Sequence, residues 1–202
     1  SFNITYRNRN VWHRAIQSST TFSNGVEFSF DKDNPLLQTL QSSLNHTYTF
    51  PKFIVPFKII RTGRFDAIRT IASFSATYSD RKDFFRVRSL TAGWGYEWTR
   101  KNKVWQYKPL NIELYSLDTL PLLDSAFQTN PFLRTSFNTG SVISQQLSFS
   151  VNYPDRKNPA ANNYIRISAE ESGALVGLIK SLEDKIYRYI KVNAEYHRVV
   201  AY

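Results

Sequence analysis

Side chains in this chain change character every second residue, over stretch after stretch, and that period places one set on each face of a β-strand. From Leu36 the positions Leu36, Leu40, Leu44, Tyr48 and Phe50 are apolar, while Thr39, Gln41, Ser43, Asn45, Thr47 and Thr49 are polar. The same pattern sets Ala72, Phe74, Ala76 and Tyr78 against Ser73, Ser75 and Thr77, and Leu90, Ala92, Trp94, Tyr96 and Trp98 against Thr91, Gly93, Gly95 and Glu97. It returns at Ile143, Leu147, Phe149, Val151 and Tyr153, and again at Ile190, Val192, Ala194 and Tyr196. Weaker strands are expected at Phe2–Arg7, Ala15–Ser23, Trp105–Tyr115 and Tyr164–Ala169.

Polar turn-forming runs separate the strands: Ser79 to Asp83, Thr99 to Lys103, and Pro154 to Pro159. Connections this short exclude crossover helices, so neighbouring strands should pair antiparallel. Two segments break the pattern. Ser116 to Gly140, with Pro121 and Pro131, reads as a structured loop; Ser172 to Ile186 carries Leu175, Leu178, Ile179, Leu182 and Ile186 at the spacing of one helix face. No repeat of 20 to 50 residues is evident.

Alternation also occurs in soluble sandwiches and binding domains. Three features favour a membrane wall. The polar faces are mostly Ser, Thr, Asn, Gln and Gly, which suits a watery lumen better than the Lys/Glu surface of a soluble domain. The strands run to about 9–11 residues, the length of a tilted crossing. Several apolar faces finish in rings, at Tyr48, Phe50, Tyr78, Tyr96, Trp98, Tyr153 and Tyr196, as an interfacial girdle requires. Aromatics make up 15% of the 202 residues, yet the mean hydropathy is −0.40 and no run approaches the length of a transmembrane helix.

The net charge of +10 is spread over short clusters at Arg7–Arg9, Arg81–Lys82, Arg100–Lys103 and Arg156–Lys157. Such clusters suit lipid or lipopolysaccharide phosphates, or simply solvated turns; without a basic helix or a recognition motif, nucleic acid is not an expected partner. The chain has no Cys and no Met, which removes disulfides and thiolate metal sites and fits an oxidising envelope compartment. It reads as a processed or incomplete product.

With the strands laid out, Phe2-Asn3-Ile4-Thr5-Tyr6-Arg7-Asn8-Arg9-Asn10-Val11-Trp12 resembles the first hairpin of the outer-membrane assembly-factor superfamily of BamA and TamA. Phe50-Pro51-Lys52-Phe53-Ile54-Val55-Pro56-Phe57 is similar to the "FPRFLLPF" segment of its TamA-like lipoproteins, the TamL type. Asn130-Pro131-Phe132-Leu133-Arg134-Thr135-Ser136-Phe137 resembles their "NPxLRxSF" loop, and Leu147 to Tyr153 the following "SYSFTYN" strand. Tyr164-Ile165-Arg166, Ala169 to Gly173, and Tyr189 to Tyr196 continue the match in the family's order.

The resemblance implies an all-β fold: an antiparallel transmembrane β-barrel in the bacterial outer membrane, part of a larger barrel of about sixteen strands. Residues 1–202 are then one partial barrel domain. Periplasmic POTRA domains, a lipoprotein Cys and closing strands are missing, with residues expected to be absent after Tyr202 and inside joins such as Phe30-Asp31 and Leu178-Ile179. The implied function is insertion or assembly of client outer-membrane proteins, with lipids, lipopolysaccharide and other assembly subunits as partners. In that reading Phe2, Asn3, Ile4, Thr5, Tyr6 and Arg7 form a templating edge that acts through backbone N–H and C=O groups at an opened seam. The bland alternative is an ordinary closed barrel strand.

An enzyme is not expected, nor a cofactor or metal. His13, His46 and His197 lie far apart, Glu170 and Glu171 should point to opposite faces, and no phosphate loop or nucleophile motif is present. Asn3-Ile4-Thr5 and Asn45-His46-Thr47 match the glycosylation pattern by chance, since both fall in strands. A passive or receptor-type transport barrel, with lumen charge rings or a plug, and a soluble β-rich binding domain remain the alternatives.

Overall fold

The computed structural model describes residues 1–28, 37–55, 65–130, 140–155, 158, 161–173 and 187–200. Within them the chain forms nine strands: β1 (Phe2–Val11), β2 (Ile16–Phe28), β3 (Leu37–Phe50), β4 (Ala67–Arg81), β5 (Phe85–Arg100), β6 (Lys103–Thr119), β7 (Gly140–Pro154), β8 (Ala161–Ser172) and β9 (Tyr189–Val200). One helix, α1 (Pro121–Thr129), follows β6. Every strand pairs antiparallel with its neighbour in sequence, giving one open sheet with β1 and β9 at its edges.

The strands outrun the alternating stretches. Hairpins expected to turn over Ser79–Asp83 and Thr99–Lys103 turn more tightly, because Arg81 still pairs with Phe85 and Arg100 with Lys103. At the first hairpin Asp80 lies opposite Arg86, and their ion pair at 2.9 Å favours continuing the ladder where the side chains turn polar; the second closes on two cations and has no such pair. The long loop expected from Ser116 is corrected similarly. Strand β6 runs on to Thr119, and α1 begins with Pro121, whose fixed φ suits the first helical turn. Ala15, expected in a strand, sits instead in the β1–β2 turn at φ 55°. The expected helix at Ser172–Ile186 lies almost wholly outside the described residues, as do both suspect joins.

A register shift in β6 explains a break in its pattern. Tyr96 pairs with Tyr107 and Trp94 with Leu110, so one extra residue is accommodated around Pro109. Proline has no N–H for the ladder and is tolerated at such a bulge. The bulge brings odd-numbered Trp105 and Tyr107 onto the same face as even-numbered Leu110, Ile112 and Leu114.

The strands are strongly staggered. Phe50, the last residue of β3, connects by successive pairings through Thr70, Tyr96, Tyr107, Leu147 and Ala169 to Val192, eight residues short of Val200 at the end of β9. At ~3.3 Å per residue and ~4.8 Å per strand spacing, that is a tilt of about 40°.

Candidate functional site

Pairing sorts the side chains into two faces. One is apolar from edge to edge: Phe2, Ile4 and Tyr6 on β1, Phe22 on β2, Leu44 on β3, Phe74 on β4, Leu90 on β5, Leu114 on β6, Leu147 on β7, Ile167 on β8 and Val192 on β9. All of these are exposed, and among the described residues the buried apolar ones are few: Ile16, Leu123, Val142 and Ala161. Fully burying such a side chain is worth about 1.5–3 kcal/mol, so leaving these eleven roughly half-exposed forgoes an amount comparable with the 5–15 kcal/mol by which folded proteins are typically stable. The described residues give this face no apolar cover.

Both rims of the apolar face are marked. At the lower rim, where β1–β2, β3–β4, β5–β6 and β7–β8 connect, ring contacts form a belt. Trp12 stacks on Tyr48 with centroids 6.0 Å apart, Tyr48 meets Phe50, and Phe50 meets Trp94. Trp94 Nε1 donates to Tyr96 Oη at 3.0 Å, and Phe53 bridges Tyr96 to Trp98. Trp98 stacks on Trp105, which meets Phe149 at 4.5 Å. All four tryptophans of the chain are in this line. At the upper rim the same face carries charge: Tyr78 and Arg86 both donate to Asp80 Oδ2, and Arg88 pairs with Asp118 at 3.0 Å.

Of the rings singled out from sequence, Tyr48, Phe50, Tyr96 and Trp98 join the belt. Tyr153 and Tyr196 lie on the same face toward the lower rim, with Tyr196 Oη donating to Asn163 Oδ1 at 2.8 Å. Tyr78 belongs to the opposite rim. Sequence reasoning missed Trp12, Phe53, Trp94, Trp105 and Phe149 as members, and Phe65, which meets both Phe53 and Trp98. Trp105 was hidden by the parity change at Pro109, and Phe53 reaches the belt because residues 51–55 fold back over it. That fold-back is pinned by Thr70, fully buried, whose Oγ1 donates to the Lys52 carbonyl and accepts from Ile54 N–H.

The polar face is the more sheltered, with Ser144, Ser148, Ser168 and Ser172 buried there, as on the inside of a curved sheet. Over β1–β3 it is mostly Ser, Thr, Asn and Gln, with charge at Arg7, Arg9 and Glu27. From β4 onward it departs from the expected neutrality: Arg69 pairs with Glu97 at 2.8 Å, Gln106 donates to Glu97, and Ser148 donates to Gln106. Glu113 accepts from Asn111 and Tyr115, and Glu170 from Tyr189. Glu171, on the apolar face, accepts from Gln145, so the two adjacent carboxylates do point apart. Among the described residues no cluster could hold a metal, and no helix is long and apolar enough to cross a membrane, which says nothing of a β-barrel.

The residues expected to template, Phe2 to Arg7, form the outer edge of the sheet, paired through Asn24 to Ser19 of β2 on one side and with no described strand on the other. Phe2, Ile4 and Tyr6 are 57%, 54% and 64% exposed. Beside them on the polar face, Arg7 and Arg9 line a cleft of about 450 Å³ with Gln17, Ser19, Thr47 and Thr49.

Comparison of the chain with protein-family models, with curated proteins and with solved structures returns no match.

Proposed function

We propose that this sheet is part of the wall of a bacterial outer-membrane β-barrel, of the assembly-factor superfamily that its motifs resemble, and that it assists insertion of other outer-membrane proteins by strand pairing at its β1 edge. The observation that carries the membrane part is the exposed apolar face bounded by the aromatic belt on one rim and ion pairs on the other. Amphipathic rings gain most where hydrocarbon meets headgroups, and charge is tolerated just beyond. The stagger agrees, since barrels tilt their strands by about 35–45°. Hydrocarbon then covers the face that the described residues leave exposed, and some seven further strands complete a barrel of about sixteen.

The assembly role rests on the resemblance and on the β1 edge, which no described strand pairs on its outer side and whose N–H and C=O groups can template an incoming strand without covalent chemistry. A receptor or transport barrel is the second reading, favoured by the charged polar face of β4–β9. The test begins with the full-length gene product: outer-membrane fractionation and heat-modifiable gel migration are expected. Reconstituted in liposomes, it should accelerate folding of a urea-denatured outer-membrane protein, and photocrosslinkers at Ile4 and Thr5 should join that client. Unchanged folding rates would leave the barrel standing and move the function to transport; solubility and monodispersity without detergent would sink the barrel.

A further inference from the structure

On the apolar face at the lower rim, Arg100 and Lys103 stand directly opposite each other as the last ladder pair of β5 and β6. Like charges so placed repel, and neither makes an ion pair with a described residue. The next pair on the same face is Trp98 and Trp105, with parallel rings 6.3 Å apart and 6° between planes. Together with Phe65, Lys101 and Asn102 these four line a pocket of about 450 Å³, cationic at the rim and aromatic toward the strands.

The turn that carries it is held in place from both sides. Lys101 adopts φ 54°, a left-handed conformation that is strained for a residue other than glycine. Its N–H donates to the Asp66 carboxylate, while Asn102 exchanges two bonds with the Asn152 backbone, at 2.9 and 3.1 Å. Asp66 is thereby engaged by the Lys101 backbone. The geometry points to a site for one phosphate-bearing membrane lipid: the phosphate bridges Arg100 and Lys103, relieving their repulsion, and the acyl chains lie against the paired indoles and continue along the apolar face. This rests on the membrane reading above but not on the assembly role.

The test uses the full-length protein purified in detergent, with native mass spectrometry of bound phosphatidylglycerol and phosphatidylcholine titrated separately. At about 1 kcal/mol per cation near an anionic headgroup, a 10- to 30-fold preference for phosphatidylglycerol is expected. Arg100→Gln with Lys103→Gln should bring it close to parity, with heat-modifiable migration retained, while Arg81→Gln with Lys82→Gln at the opposite rim should leave it intact. Equal retention of both lipids by the unmodified protein, or a preference that survives the Arg100/Lys103 change, overturns the site and leaves the barrel untouched. A protein that retains neither lipid and stays monodisperse without detergent overturns both. If the double glutamine variant fails to fold, Lys103→Gln alone must lower the preference several-fold, or the proposal is wrong.

Discussion

Arg69 Nε lies 2.8 Å from Glu97 Oε1 across the β4–β5 ladder, and this pair starts a line of polar contacts that crosses the sheltered face through Gln106 to Ser148 on β7. Glu97 is the node, since it accepts from both Arg69 and Gln106 and is itself well covered. Truncating it leaves two donors to find water, one of them half-exposed and easily rehydrated.

Glu97→Ala should therefore cost about 1–2 kcal/mol, and Glu97→Gln less, because the amide still accepts. Urea unfolding in micelles measures both. A loss under 0.5 kcal/mol for Glu97→Ala, within the roughly ±0.5 kcal/mol of ordinary surface changes, would show that the line of contacts does not brace the sheet.

Leu90 and Thr91 are neighbours on β5 that face opposite ways. If the apolar face lies in hydrocarbon, Leu90→Arg should destabilise by about 2–4 kcal/mol, whereas Thr91→Arg on the polar face should be mild. Equal losses, measured by the same unfolding assay in lipid vesicles, would contradict a bilayer against the apolar face.

Thr70→Val keeps shape but removes the hydroxyl that ties Lys52 and Ile54 to β4. The segment over the belt should loosen, with stability falling by about 1–3 kcal/mol. Limited trypsin digestion reads it directly, as faster cleavage after Lys52; unchanged cleavage would mean that Phe53 and its ring contacts hold the segment unaided.

Gly93 faces the polar side, where an added Cβ would lie 2.9 Å from Ser73 Oγ. Gly93→Val should cost about 1–3 kcal/mol, and a second change, Ser73→Gly, should restore part of it. Additive losses in the double variant would place the strain elsewhere.

Much of this architecture is legible in the chain because a β-strand exposes its period directly. Alternation at Ala72–Tyr78, Leu90–Trp98 and Ile190–Tyr196 assigns each residue to a face without any knowledge of its neighbours. Short polar turns then require antiparallel pairing in sequence order, as found. Even the opposed directions of Glu170 and Glu171 follow from period alone.

What the chain could not state is how one strand registers on the next. The shift at Pro109 that carries Trp105 onto the face of Trp98, the fold-back that seats Phe53 against Tyr96, and the placement of Arg100 opposite Lys103 all depend on pairing between strands. So does the strand stagger, which accumulates one ladder at a time. Local sequence determined the two faces of this protein because side-chain direction is a property of each residue. Tertiary structure alone decided the belt, the charge line and the cationic pocket, because each is assembled from residues on different strands.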